Sequence, residues 1–157
     1  MMDYTQIRND IVKGLQSFLQ VPVVPTDNNA KKPKYPFISY KFTTLYRPQG
    51  SHNITYSPVP SHDPNFEFDI ETTRQEQPQM ILSISTYSLD DAESCSLALN
   101  AKNWFIHHGY EFLKSENIIV VDVTPIQDRT ILIVDNYEQR MGFDVTLRVT
   151  DEQKRTI

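Results

Sequence analysis

The sequence predicts an α+β fold: a mainly antiparallel β-sheet packed against two α-helices, with a long loop or hairpin arm. Three observations lead there. Two-residue alternations of apolar and polar side chains recur between Tyr35 and Val149, helical periodicity occurs in two separate segments, and strand-like runs follow one another without a helix between most of them. The clearest alternation is Gly142–Val149, where Phe143, Val145, Leu147 and Val149 share one face while Asp144, Thr146 and Arg148 share the other. Two helices on one side of a single sheet is the simplest arrangement that buries all of these faces.

The first helix starts at Asp3, a residue whose carboxylate can accept from the exposed N–H groups of a first turn. Behind it Tyr4, Ile7, Ile11, Leu15, Phe18 and Leu19 recur at steps of three and four. Pro22 disfavours helical geometry in the residue before it, so the helix ends by Gln20 or Val21. Residues 27–34 form a polar, basic loop. After Pro36 a β-rich run from Phe37 to Tyr46 reads as a strand.

Residues 47–65 hold four prolines, one glycine and two histidines with no sustained period, and read as a long loop or a loosely paired hairpin arm. Alternation resumes at Asn65–Thr72, which would turn Phe66, Phe68 and Ile70 inward and Glu67, Asp69 and Glu71 outward. A polar bend at 73–78 would join it to the run containing Met80, Leu82 and Ile84, making an antiparallel pair. Ser88 or Asp90 can cap a second helix with a stripe of Leu97, Ala98, Ala101, Trp104, Phe105 and His108, and Gly109 is placed to end it. Runs at 118–123, 131–134 and 143–149 complete the strands.

A chain of 157 residues is near the size of one ordinary domain, so a single domain over residues 1–157 is expected, with 47–65 as a protruding arm. A formal net charge of -5 argues against a groove that grips nucleic acid, because such binding comes from clustered Lys and Arg. No stretch approaches the roughly 18 apolar residues of a membrane-spanning helix, so no membrane partner is expected. The start of the sequence lacks the basic and apolar regions of a signal peptide, which suggests assembly in the cytoplasm. Cys95 is the one cysteine and reads as a small buried apolar group in a helix.

The strongest candidate for chemistry is the row Glu67, Asp69 and Glu71 with His62 and Asp63 upstream, since oxygen ligands suit hard cations. Their spacing of ~6.6 Å per two-residue step is too wide for all three to share one ion unaided, and a solvated acidic face is the plainer reading. His107 and His108 are adjacent and cannot chelate as an i, i+4 pair; His108 is expected half-buried on the apolar stripe. Lys31, Lys32 and Lys34 could touch phosphate but read more simply as solvated surface. Phosphate-cradling, nucleophile-elbow and zinc motifs are absent from the sequence, and neither catalysis nor a cofactor is expected.

Several phrases occur in a telling order. They are Tyr35-Pro36-Phe37-Ile38-Ser39-Tyr40; Trp104-Phe105 with His108-Gly109-Tyr110-Glu111; Ile119-Val120-Val121-Asp122-Val123; and Tyr137-Glu138, Arg140, Gly142-Phe143-Asp144-Val145 and Arg148-Val149-Thr150-Asp151. In these phrases, over nearly its whole length, the chain resembles the neck or tail terminator proteins, also called tail completion proteins, of long-tailed bacterial viruses. The resemblance implies a virion structural protein that forms a homo-oligomeric ring, typically of six copies, at the head-proximal end of the tail tube. Such a ring stops tube growth and meets the head connector or a head completion protein, while DNA passes through without specific binding.

An acidic subunit would let DNA slide past. Arg47, Tyr56 and Arg140 are candidate contacts with other subunits or partners, because Arg and Tyr are enriched at interface cores. Glu67, Asp69 and Glu71 are candidate channel-lining residues on account of their sign and spacing. Another virion component, such as a head completion or baseplate protein, is the alternative reading, and a metal-dependent enzyme using the three carboxylates is a third.

Overall fold

In a computed structural model, which describes residues 2–157, ten strands and three helices follow the order expected of an α+β chain. Helix α1 spans Tyr4–Leu19; Asp3 caps it by accepting from the Gln6 N–H at 3.2 Å, and Gln20 ends it in a left-handed conformation. Strands β1 (Val23–Pro25), β2 (Phe37–Arg47), β3 (His52–Pro60), β4 (Phe68–Glu76) and β5 (Gln79–Ser88) come next. Helix α2 (Asp91–Asn103) runs through a π-helical turn, Trp104–His108, into the short α3 (Tyr110–Ser115). Strands β6 (Ile119–Val123), β7 (Gln127–Asp128), β8 (Ile131–Ile133), β9 (Asn136–Arg148) and β10 (Asp151–Thr156) complete the chain.

The main sheet has the order β1-β2-β5-β9-β6, antiparallel except for β1 against β2, while β7 and β8 pair with the first part of β9. Alternate residues of the central strands, Met80, Leu82 and Ile84 on β5 and Phe143, Val145 and Leu147 on β9, enter one core. Ile11 and Leu15 of α1 and Leu97 and Ala101 of α2 enter the same core, so both helices cover the same face of the sheet. Trp104 is the wedge between them. A Cβ on Gly14 of α1 would collide with the indole Cζ2, and a Cβ on Gly109 would lie 2.6 Å from its Cδ2 and Cζ2.

The π-helical turn after α2 departs from the expected stripe at one residue. The Gly109 N–H bonds the Trp104 carbonyl at 2.7 Å, five residues back, and this wider turn rotates the later side chains past their 3.6-residue positions. Leu97, Ala98, Ala101, Trp104 and Phe105 are buried as expected, whereas His108 is exposed and stacks on Phe18 with ring centroids 4.8 Å apart. Gly109 ends the π-helical turn, and helix resumes at Tyr110.

A second, three-stranded sheet of order β10-β4-β3 corrects the expected pairing of residues 65–72 with the Met80 run. β4 pairs instead with β3 on one side and β10 on the other, and turns at Gln77-Pro78 into β5 of the main sheet. Each arm strand joins a neighbour in the main sheet: β3 follows β2, β4 precedes β5, and β10 follows β9 after Val149-Thr150. The central trio β2-β5-β9 therefore continues into an arm of order β3-β4-β10. The segment 47–65 contributes one strand of this hairpin arm, which is completed by residues far along the chain.

Candidate functional site

The arm has two unlike faces, set by the strand registers. Tyr56 lies opposite Thr72, Ile54 opposite Arg74, Pro58 opposite Ile70 and Pro60 opposite Phe68, so these residues share one face. Gln153 and Arg155 join it from β10, and the Ile157 N–H reaches the Ile70 carbonyl at 2.9 Å. The other face carries Asn53, Thr55 and Ser57 with Asp69, Glu71 and Thr73. The alternation read from the sequence thus sorts Phe68 and Ile70 correctly from Asp69 and Glu71, but the apolar face is not turned inward: Phe66, Phe68 and Ile70 stand 65%, 56% and 43% exposed. The helices lie over the main sheet, and among the described residues none of them packs extensively on the arm strands.

Ile54, Tyr56, Phe66, Phe68, Ile70 and Ile157 are each 43% to 71% exposed. Together they form an exposed apolar patch on one face of the arm. Contiguous exposed apolar patches on soluble proteins often mark interaction sites. Within the face, Ile54, Tyr56, Thr72, Arg74, Gln153, Arg155 and Ile157 line a cavity of about 270 Å³, with Lys154 at its rim.

At its base the arm is held by a polar clasp that sequence reading missed. The Tyr46 hydroxyl lies 2.8 Å from a Glu76 carboxylate oxygen and 3.0 Å from one of Asp151, while Arg74 pairs with Glu76 at 2.9 Å. Burial, and then hydrogen bonding to both carboxylates, pushes the Tyr46 phenol up to about 12. Hydrogen bonds from Tyr46 and Arg74 hold Glu76 below its ordinary value. No residue-type motif marks such a clasp, because its members come from three strands separated by as much as 105 positions.

The sequence-predicted residues fall in different places. Tyr56 is on the apolar arm face, 67% exposed. Arg47 ends β2 at the root of the arm, exposed, with its guanidinium on the Gln79 side-chain oxygen. Arg140 is remote from both: it pairs with Glu138 and lies 4.7 Å above the Tyr87 ring. Glu138 is 0% exposed and also accepts from Lys32 and Tyr35, so Lys32 is an internal ion-pair partner rather than merely solvated surface. Burial alone would raise the Glu138 carboxyl; the hydrogen bonds from Lys32, Tyr35 and Arg140 outweigh it and hold the group below its ordinary value.

Glu67 lies in the bend before β4, Asp69 and Glu71 on the polar face of β4, so the strand begins three residues later than the alternation suggests. Asp69 accepts from the Ser61 hydroxyl at 3.0 Å and, more weakly, from the His62 N–H. Among the described residues no group of three or more His, Cys, Asp or Glu side chains is placed to hold a metal ion. Cys95 is half-buried rather than fully buried; burial and the nearby Asp91 carboxylate push its thiol up, which disfavours the nucleophilic thiolate. Among the described residues no helix is long and apolar enough to cross a membrane.

A sheet face that exposes Ile54, Tyr56, Phe68, Ile70 and Ile157, beside buried or half-buried acids held in the structural clasps around Tyr46 and Glu138, suits an assembly subunit. Residues 9–157 match the family model of the phage neck terminator protein, and the chain belongs to that family. It is accordingly a structural protein of the bacteriophage neck, located in the virion. No curated protein matches the chain in sequence.

Proposed function

We propose that the protein is a tail or neck terminator that forms a homo-oligomeric ring, six copies being the expected number, at the head-proximal end of the tail tube. The ring stops tube growth and offers its outer end to the head connector or a head completion protein. One observation carries this reading beyond family membership: the arm's apolar face, whose Ile54, Tyr56, Phe68, Ile70 and Ile157 stay exposed in the isolated subunit. A second copy of the chain removes that face from water.

With the apolar face covered, the opposite face bearing Asp69 and Glu71, with Glu67 at its tip, turns toward the lumen. Like charge there would keep the genome from sticking as it passes. Electron microscopy of the purified protein, alone and mixed with tail tubes, tests the reading. Rings that cap one tube end are expected, and loss of the gene should leave full heads beside tails of abnormal length. Protein that stays monomeric at high concentration and binds neither tubes nor connectors would overturn it.

A further inference from the structure

The hairpin formed by β8 and the start of β9 is a second apolar feature that the core does not use. Ile133 pairs with Asn136, leaving Val134-Asp135 as a two-residue turn, and Leu132 faces Tyr137 directly across the strands. Leu132, Val134 and Tyr137 are 62%, 87% and 60% exposed. Val134 has φ 44, a left-handed conformation that is unfavourable for a β-branched residue and that Gly, Asn or Asp would adopt more easily. The tip therefore combines three features that stability in isolation disfavours: strain at a β-branched residue, near-complete exposure, and an apolar side chain.

We infer that this hairpin is a knob that seats in the arm cavity of a neighbouring copy. Two complementarities support the pairing. The cavity is apolar at Ile54, Tyr56 and Ile157, matching Leu132, Val134 and Tyr137. Arg155 borders it, whereas the knob carries Asp135 beside Val134. Neither Arg155 nor Asp135 has an ion-pair partner among the described residues.

The knob cannot reach the cavity of its own chain, because β9 lies between them. Its 13 residues span roughly 40 Å at about 3.3 Å per residue, with the hairpin at one end and β10 beyond the other. Two different patches at opposite ends of one subunit make a heterologous contact, the type that closes into a ring when the rotation between copies permits. The inference rests on the ring reading and adds which two surfaces meet.

The tests separate the two. Val134→Asn suits the left-handed turn better than Val, so thermal stability of the subunit should hold or rise, while self-association should weaken about a hundredfold. Asp135→Arg and Arg155→Asp should each weaken it about tenfold and the double variant should recover most of the loss. In a Cys95→Ser background, Val134→Cys with Ile157→Cys should give disulfide-linked ladders on mild oxidation. Wild-type protein that assembles normally, while Val134→Asn assembles equally well or the cysteine pair gives no intermolecular disulfide, would overturn the knob assignment and leave the ring standing. Wild-type protein that never self-associates would overturn both.

Discussion

Replacing Gly109 by Ala pits helix propensity against packing, and the two give opposite signs. Propensity favours Ala by about 1 kcal/mol in a helix interior and by less at Gly109, the junction between two helical segments. The new Cβ, however, would lie 2.6 Å from two indole atoms of Trp104 and closer to a third, where ordinary contact needs more than 3.4 Å. The indole cannot retreat freely: its far edge already abuts Gly14 of α1, and Phe105 stands edge-on with centroids 5.0 Å away. Forcing an extra carbon into a filled core costs about 1–3 kcal/mol, and displacing the ring altogether approaches the ~3–5 kcal/mol of losing a buried Trp.

Net destabilisation of about 2 kcal/mol is expected, a fall of roughly 4–8 °C in Tm for a chain of this size. Because Trp104 is the sole tryptophan, urea unfolding followed by its fluorescence reads the affected site directly. A Gly109→Ala protein as stable as wild type, or more so, would show that Trp104 is loosely held and refute the wedge.

Glu138→Gln keeps the shape of the buried side chain but removes the charge that Lys32, Tyr35 and Arg140 converge on. About 1.5–3 kcal/mol of stability should go, read as a shift of the urea midpoint. Glu138 and Glu76 both have folded-state values below those of the unfolded chain, so their contribution is complete above roughly pH 4.3 and is lost as pH falls from there through the folded values. Acid titration of the urea midpoint should show that loss, and Glu138→Gln should flatten it. Tyr46→Phe removes the hydroxyl between Glu76 and Asp151, and should speed amide hydrogen exchange in β3 and β10 while leaving β5 unchanged. Reversing Asp69 and Glu71 to Lys should slow genome ejection if that face lines the channel; an unchanged rate would remove them from the lumen.

Periodicity resolved which residues share a face, and it succeeded in the central strands, which the helices cover: Phe143, Val145, Leu147 and Val149 are all buried, as their alternation implies. It could not say what covers a face. Phe68 and Ile70 alternate as cleanly as Leu82 and Ile84, yet their apolar side stays open, because the information lies in a partner and not in the pattern. β10 left no trace in the sequence: Asp151–Thr156 is uniformly polar, and it forms a strand because β4 offers it a hydrogen-bonding edge. β3 was obscured by Pro58 and Pro60, which an edge strand tolerates and a central one does not.

The misplacement of His108 has a smaller cause, a single wide turn opened between Trp104 and Gly109. Of the candidate interface residues, Tyr56 lies on the open face by virtue of its register opposite Thr72, whereas Arg140 sits beside Glu138, a buried acid that no composition or motif would flag. Arg and Tyr enrichment at interfaces is a statement about averages.

Sedimentation equilibrium of wild-type protein beside an Ile70→Arg variant tests most directly whether the arm's apolar face is where copies of this chain meet. Ile70 is exposed in the isolated subunit, so the variant should keep its circular dichroism and its thermal transition. Wild type should sediment as one closed oligomer of fixed mass and Ile70→Arg as a monomer. Equal masses for the two proteins, whether both assembled or both monomeric, would contradict it.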